Sequence, residues 1–149
     1  MKLSWTNFKI SIAGARLSHL AQKDKIWDHG SMVELTRNIF YKLEKAKNRN
    51  DPELVKKNVT TGFYFFLKNE LEKQPATTDA TLTEVSIINV REKTNKTGDN
   101  FTALLKGKRK EEEIKNIGIE NFSEQWFFTR EGDWWLLDGI KPGRSVSKH

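Results

Sequence analysis

The stretch that most limits how this chain can fold is Phe122–Pro142, FSEQWFFTREGDWWLLDGIKP, which holds three of the five tryptophans. Two apolar runs, Gln125–Thr129 and Trp134–Leu137, flank the polar Arg130-Glu131-Gly132-Asp133. A glycine between two β-prone runs predicts an antiparallel hairpin. Trp126 and Phe128 alternate with Phe127, and Trp135 and Leu137 alternate with Trp134 and Leu136, so both faces are apolar. A hairpin wet on one side would carry polar residues there. The ribbon is therefore expected to be covered twice, by the chain's own helices and by a further layer.

Upstream, the apolar period is that of helices. Met32, Leu35, Ile39, Leu43 and Ala46 recur every three or four residues and predict a helix over Met32–Lys47, with Ser31 and Glu34 as a capping box. Asp51-Pro52 then starts a short helix to Lys57, with proline where its missing N–H is harmless. Thr60 or Thr61 caps a third helix that runs to Lys73 with the stripe Phe63, Leu67 and Leu71. Tyr64, Phe65 and Phe66 spread aromatic surface around that turn, so one side of it must meet something beyond the nearest sheet face.

After the linker Gln74–Asp79 the period changes to two. Leu82–Val90 reads as a strand with a bulge at Ile87-Ile88, Thr94–Asn100 as a turn, and Phe101–Lys106 as the next strand. The run Lys106–Lys115, KGKRKEEEIK, reads as a solvated loop or hairpin end whose charges neutralise one another. Helices followed by a meander make the fold α+β, with N-terminal helices packed on a curved antiparallel sheet of about four strands. The expected shape is a cone whose interior is the natural place for a ligand pocket. The expected organisation is an N-terminal arm over 1–26, a domain over 27–142 and a polar tail over 143–149.

The arm carries a second apolar line, Trp5, Phe8, Ile12 and Ala15, on a basic segment that includes Lys9 and Arg16. Such a segment can lie in a membrane interface, or it can pack Trp5 and Phe8 on the domain. Trp5, Phe8, Lys9, Ile12 and Arg16 are the candidate membrane residues. A net charge of +6 and a pI of about 9.5 favour acidic partners. Nucleic acid is not expected among them, because the basic run is interleaved with acids rather than aromatics. The chain has no cysteine, which excludes disulfides, thiolate metal sites and cysteine nucleophiles. No apolar run approaches the roughly 20 residues that span a bilayer.

The hairpin resembles the signature of the Tim-forty-four-like family, within the nuclear-transport-factor-2-like superfamily. That family's domain ends in a Trp/Phe-rich strand, a short Gly-bearing turn and an aromatic–Leu–Leu–Asp strand. Trp126, Phe128, Arg130, Trp135, Leu137, Asp138 and Ile140 fall on this pattern. Upstream, IFYKLEKAKNRNDPELVKKNVTTGFYFFLKNEL is similar to the family's helices, so the resemblance spans about Trp27–Ile140. It implies a peripheral membrane domain: the mitochondrial member tethers the import motor at the inner membrane, and its C-terminal domain binds anionic lipid. No catalytic or ligand-binding residue carries over, because the matched positions are those of the fold. The long chaperone-binding region of the mitochondrial protein has no counterpart here, so an import-tether role is not expected.

Enzymes of this superfamily need an Asp, His or Tyr in the cone with a pKa tuned by burial. His19, His29 and His149 lie off the expected strands and main helices, and no histidine and carboxylates fall at metal-ligand spacing. No catalytic residue, cofactor or metal ligand is therefore assigned. The expected function is a non-catalytic binding or adaptor domain, cytoplasmic and peripheral to the inner membrane, whose partner is anionic lipid or a protein. The alternatives are a soluble homodimeric small-molecule-binding domain and an isomerase- or dehydratase-like enzyme. The candidate pocket or interface residues are Tyr64, Phe66, Trp126, Phe128, Trp135 and Asp138, with Asp138 expected to bond backbone N–H groups or a cation.

Overall fold

A computed structural model describes residues 4–74, 79–112 and 117–143. Three α-helices come first: α1 (Trp5–Lys23), α2 (His29–Arg49) and α3 (Thr61–Lys73), joined by 3-10 turns at Lys25–Trp27 and Pro52–Asn58. Four strands follow, β1 (Ala80–Arg91), β2 (Asn100–Glu112), β3 (Ile117–Glu131) and β4 (Trp134–Pro142), as an antiparallel meander in chain order. The fold is α+β, with helices packed on a curved four-stranded sheet. The linker at 75–78, residues 113–115 of the charged run and the tail at 144–149 lie outside the described residues.

Local chemistry explains the helix ends. Ser4 caps α1 by accepting from the Asn7 N–H at 3.0 Å. The cap of α2 is Asp28, not Ser31: its carboxylate accepts from the backbone N–H and the hydroxyl of Ser31, at 2.9 and 2.8 Å. A carboxylate beside exposed helical N–H groups is the stronger cap. Those two bonds, the backbone one first, hold the Asp28 carboxyl below the ordinary carboxylate range. Asn50, at φ 52°, turns its N–H back onto the carbonyls of Ala46 and Lys47 and ends α2. Thr60 caps α3 through the Phe63 N–H.

The strands reach further than their apolar pattern. Most of the expected loop over 106–115 is strand: Lys106 to Glu112 pair with Ser123 back to Ile117. Polar and charged neighbours replace the apolar period there: Arg109 pairs with Glu120 across the ladder, and its guanidinium lies 3.7 Å from the Glu124 carboxylate. The sheet bends at three register shifts, at Leu82/Glu84, Ile87/Asn89 and Phe127/Phe128.

The inner face of the sheet buries Phe101, Trp126, Phe128, Trp135 and Leu137. Phe40 of α2 lies over it, 6.0 Å from Trp126 and parallel to Phe122 at 5.9 Å. The outer face is covered only in part. Phe127 and Leu136 are half-buried, and Trp134 is 53% exposed. The expected second layer is thus incomplete over the hairpin.

Helix α1 joins the core. Ala13, Leu17 and Leu20 are buried with the residues of α2 and the sheet, whereas Trp5, Phe8 and Ile12 are 66%, 42% and 47% exposed. The helix therefore carries two apolar stripes, and the wholly aliphatic one is packed. Leu17→Ala is expected to cost about 2–5 kcal/mol in urea unfolding, against less than about 0.5 kcal/mol for Trp5→Ala. Equal, small effects would show that α1 does not unfold with the domain.

Candidate functional site

Three surface features converge functional chemistry. The first is an open cleft of about 920 Å³ between α3 and the far ends of β3 and β4. Leu43, Phe63, Leu67, Phe122 and Ile140 form its apolar walls, with Phe66 at its mouth. Around it Lys47, Arg109, Glu70, Glu120 and Glu124 bring both signs of charge. Arg109 is engaged twice: its guanidinium lies 4.5 Å from the centre of the Phe122 ring and 3.7 Å from Glu124. Glu124 in turn accepts from the Trp126 indole N–H at 3.1 Å.

Gly107 makes room for this arrangement. A methyl placed on it would lie 2.7 Å from a ring carbon of Phe122 and would also meet the Thr81 carbonyl oxygen. Backbone cannot yield as a flexible side chain does, so Gly107→Ala is expected to cost about 1–3 kcal/mol. A urea midpoint unchanged from wild type would show that Phe122 is loosely held.

The second feature is a clamp built on Arg130. Its guanidinium donates to Asp24 and Asp99, each at 3.0 Å, and to Asp133 at 3.4 Å, while its Nε donates to the Gly132 carbonyl at 2.6 Å. Gly132, at φ 62°, gives the two-residue turn that brings this carbonyl round. One side chain thus joins the end of α1, the β1–β2 turn and the β3–β4 turn. Asp24 also accepts from the Ile26 N–H, and this bond, then Arg130, holds its carboxyl below the ordinary range. A lowered folded-state pKa stabilises the fold above the unfolded value and loses that contribution as the pH falls. Arg130→Gln is therefore expected to lower the urea midpoint at pH 7, with a deficit that shrinks once the pH drops below about 4. A deficit independent of pH would mean that the clamp acts by packing alone.

The third feature is the outer side of α1. Trp5 stacks on Phe8 at 5.4 Å and carries the Lys9 ammonium 5.7 Å from its ring centre. Between α1 and the outer sheet face lies a groove of about 380 Å³, floored by Ile88, Thr102 and Phe127.

The residues expected to share one pocket are dispersed. Phe66 stands at the mouth of the large cleft, and Trp126 reaches it only through Glu124. Phe128 and Trp135 are core: Phe128 stacks on Phe101 at 4.5 Å, and Trp135 meets Phe101 and Trp27 edge-on. The ring of Tyr64 is buried, and its hydroxyl donates to Glu53. That bond, with burial second, raises the phenol's pKa. Asp138 accepts from the Thr60 hydroxyl at 2.8 Å, beside the bond from the Thr60 N–H to the Leu137 carbonyl at 3.0 Å. It therefore ties β4 to the cap of α3. The members that sequence patterning missed are Arg109, Phe122 and Glu124, whose only signal is a cross-strand register the sequence does not print.

Among the described residues no three histidine or carboxylate side chains gather as metal ligands, and no helix is long and apolar enough to cross a membrane.

No family model matches this chain, and no curated protein does. Among solved structures it is similar to the intermembrane space region of the chloroplast protein ARC6. The two superpose with a TM-score of 0.50 over 74% of this chain and 95% of the other, at 13% identity. At that identity the likeness is one of fold alone.

Proposed function

We propose that this protein is a non-catalytic binding domain that attaches peripherally to an anionic membrane surface through α1. The observation that carries this reading is the division of labour on that helix. Ala13, Leu17 and Leu20 fix it to the core, and the Arg130 clamp holds its end at Asp24. Trp5, Phe8 and Ile12 are left facing outward on a rigid support. The helix contains no carboxylate, and its basic residues include Lys9, Arg16 and Lys23. Aromatic side chains on a basic helix suit the headgroup region of a bilayer. Each cation near an anionic leaflet contributes about 1 kcal/mol, so a few give reversible attachment without a spanning segment. The resemblance of the hairpin to the Tim-forty-four-like family supports the same reading, and the cytoplasmic side of an inner membrane is the location we propose.

Catalysis has little support. The phenol of Tyr64 is committed to Glu53, Asp138 to Thr60 and Arg130 to three carboxylates. Each is a structural tie rather than a free acid or base in a closed cavity.

Vesicle sedimentation tests the proposal. Vesicles rich in phosphatidylglycerol should retain the protein at low salt and release it as salt screens the charges, and phosphatidylcholine vesicles should not retain it. Replacing both Trp5 and Phe8 by serine should abolish retention with the fold unchanged. Equal retention of that variant would sink the assignment to α1.

A further inference from the structure

We infer that a second copy of this chain docks the outward side of its α1 into the groove beside Trp134, and that the exchange is reciprocal. The self-association goes beyond the membrane role and touches it at one point. The docked stripe is the one proposed to enter the bilayer, so association withholds α1 from the membrane.

The tryptophans divide into two groups. Trp27, Trp126 and Trp135 are buried, whereas Trp5 and Trp134 are 66% and 53% exposed. The two exposed indoles stand on surfaces of opposite sign. Trp5 shares its side of α1 with Phe8 and Ile12, the Lys9 ammonium lies 5.7 Å from its ring centre, and α1 has no carboxylate. Trp134 lies on a groove of about 730 Å³ whose other apolar surface comes chiefly from Ile26 and Leu35. Asp28, Glu34 and Asp133 line this groove against Lys25 alone, in a chain of net charge +6. Asp28 is engaged with Ser31 and Asp133 with Arg130. Glu34 has neither a hydrogen bond nor an ion pair among the described residues.

Each surface supplies what the other lacks. Seating Trp5 and Phe8 in the groove covers both exposed indoles at once, and Lys9, carried beside the Trp5 ring, arrives among the carboxylates. The large cleft by α3 is a poorer seat, because Lys47 and Arg109 oppose a basic helix there. One seating of two rings falls short of the roughly 1,200 Å² that a stable complex buries, and two seatings double the area. The layout of the chain supplies both. The aromatic stripe lies on the first half of α1, and the groove begins at Lys25, just past its end. Two copies with antiparallel α1 helices bring the start of each helix to the other copy's groove. The exchange then closes on a dimer instead of running on as a filament.

Sedimentation velocity and amide spectra of the whole chain test this. The wild-type mass should rise with concentration from 17.3 kDa to that of two chains and stop there. A helix variant, Trp5→Ser with Phe8→Ser, and a groove variant, Glu34→Lys with Trp134→Ser, should each keep the native spectrum and dimerise at least about tenfold more weakly. Isotope-labelled helix variant retains an intact groove. Its Leu35 amide and Trp134 indole should shift when unlabelled groove variant is added, and stay in place when unlabelled helix variant is added. A wild type that remains monomeric, a groove variant that dimerises normally, a mixture without shifts or a mass that climbs past two chains would each overturn the proposal. A monomeric wild type that still binds anionic vesicles rejects the docking and leaves the membrane reading standing. A dimer that such vesicles do not dissociate supports the docking and counts against that reading.

Discussion

The structure depends on one aromatic junction. Phe128 of β3 lies flat on Phe101 of β2 at 4.5 Å, Trp135 of β4 meets Phe101 edge-on at 4.9 Å, and Trp27 closes on Trp135 at 5.1 Å. Offset and edge-on rings contribute more than their buried area alone. The indole N–H of Trp135 is not sacrificed, because it donates to the Ile26 carbonyl at 3.0 Å. Three strands and the link between α1 and α2 are thus fixed around one set of rings. The remainder follows geometrically: α2 lies over the inner face, and α1 is carried to the edge strand.

That geometry decides which surfaces remain for function. The inner face is filled over most of the hairpin, and toward its far end α3 leaves a mixed-charge cleft. The outer face is neither fully dry nor fully wet, with Phe127 and Leu136 half-buried and Trp134 in solvent. The most basic surface lies where α1 passes this face, with cations and aromatic rings, and Glu92 set against Arg16 at its edge.

Much of the fold was legible because its signals are local. The order of helices and strands, the cap at Thr60, proline after Asp51 and the bulge at Ile87-Ile88 all follow from residues a few positions apart. What was hidden depended on partners distant in the chain. The stretch Lys106–Glu112 looks like loop because its neighbours on β3, not its own period, make it a strand. On α1 two stripes compete, and patterning favours the bulky Trp5, Phe8 and Ile12, although packing chose Ala13, Leu17 and Leu20. The candidate pocket or interface residues are separated for a related reason: being aromatic does not decide between interior and surface, so Phe128 and Trp135 fill the core while Arg109 and Phe122 line the cleft.

The bond from Arg130 to Asp24 spans 106 positions of sequence. Helix α1 is synthesised well before β3 and β4, so its anchor at Arg130 exists only after most of the sheet has been made. Until the β3–β4 turn closes, α1 lacks this tie to the sheet. A single guanidinium thus couples the closing of the β3–β4 hairpin to the seating of α1.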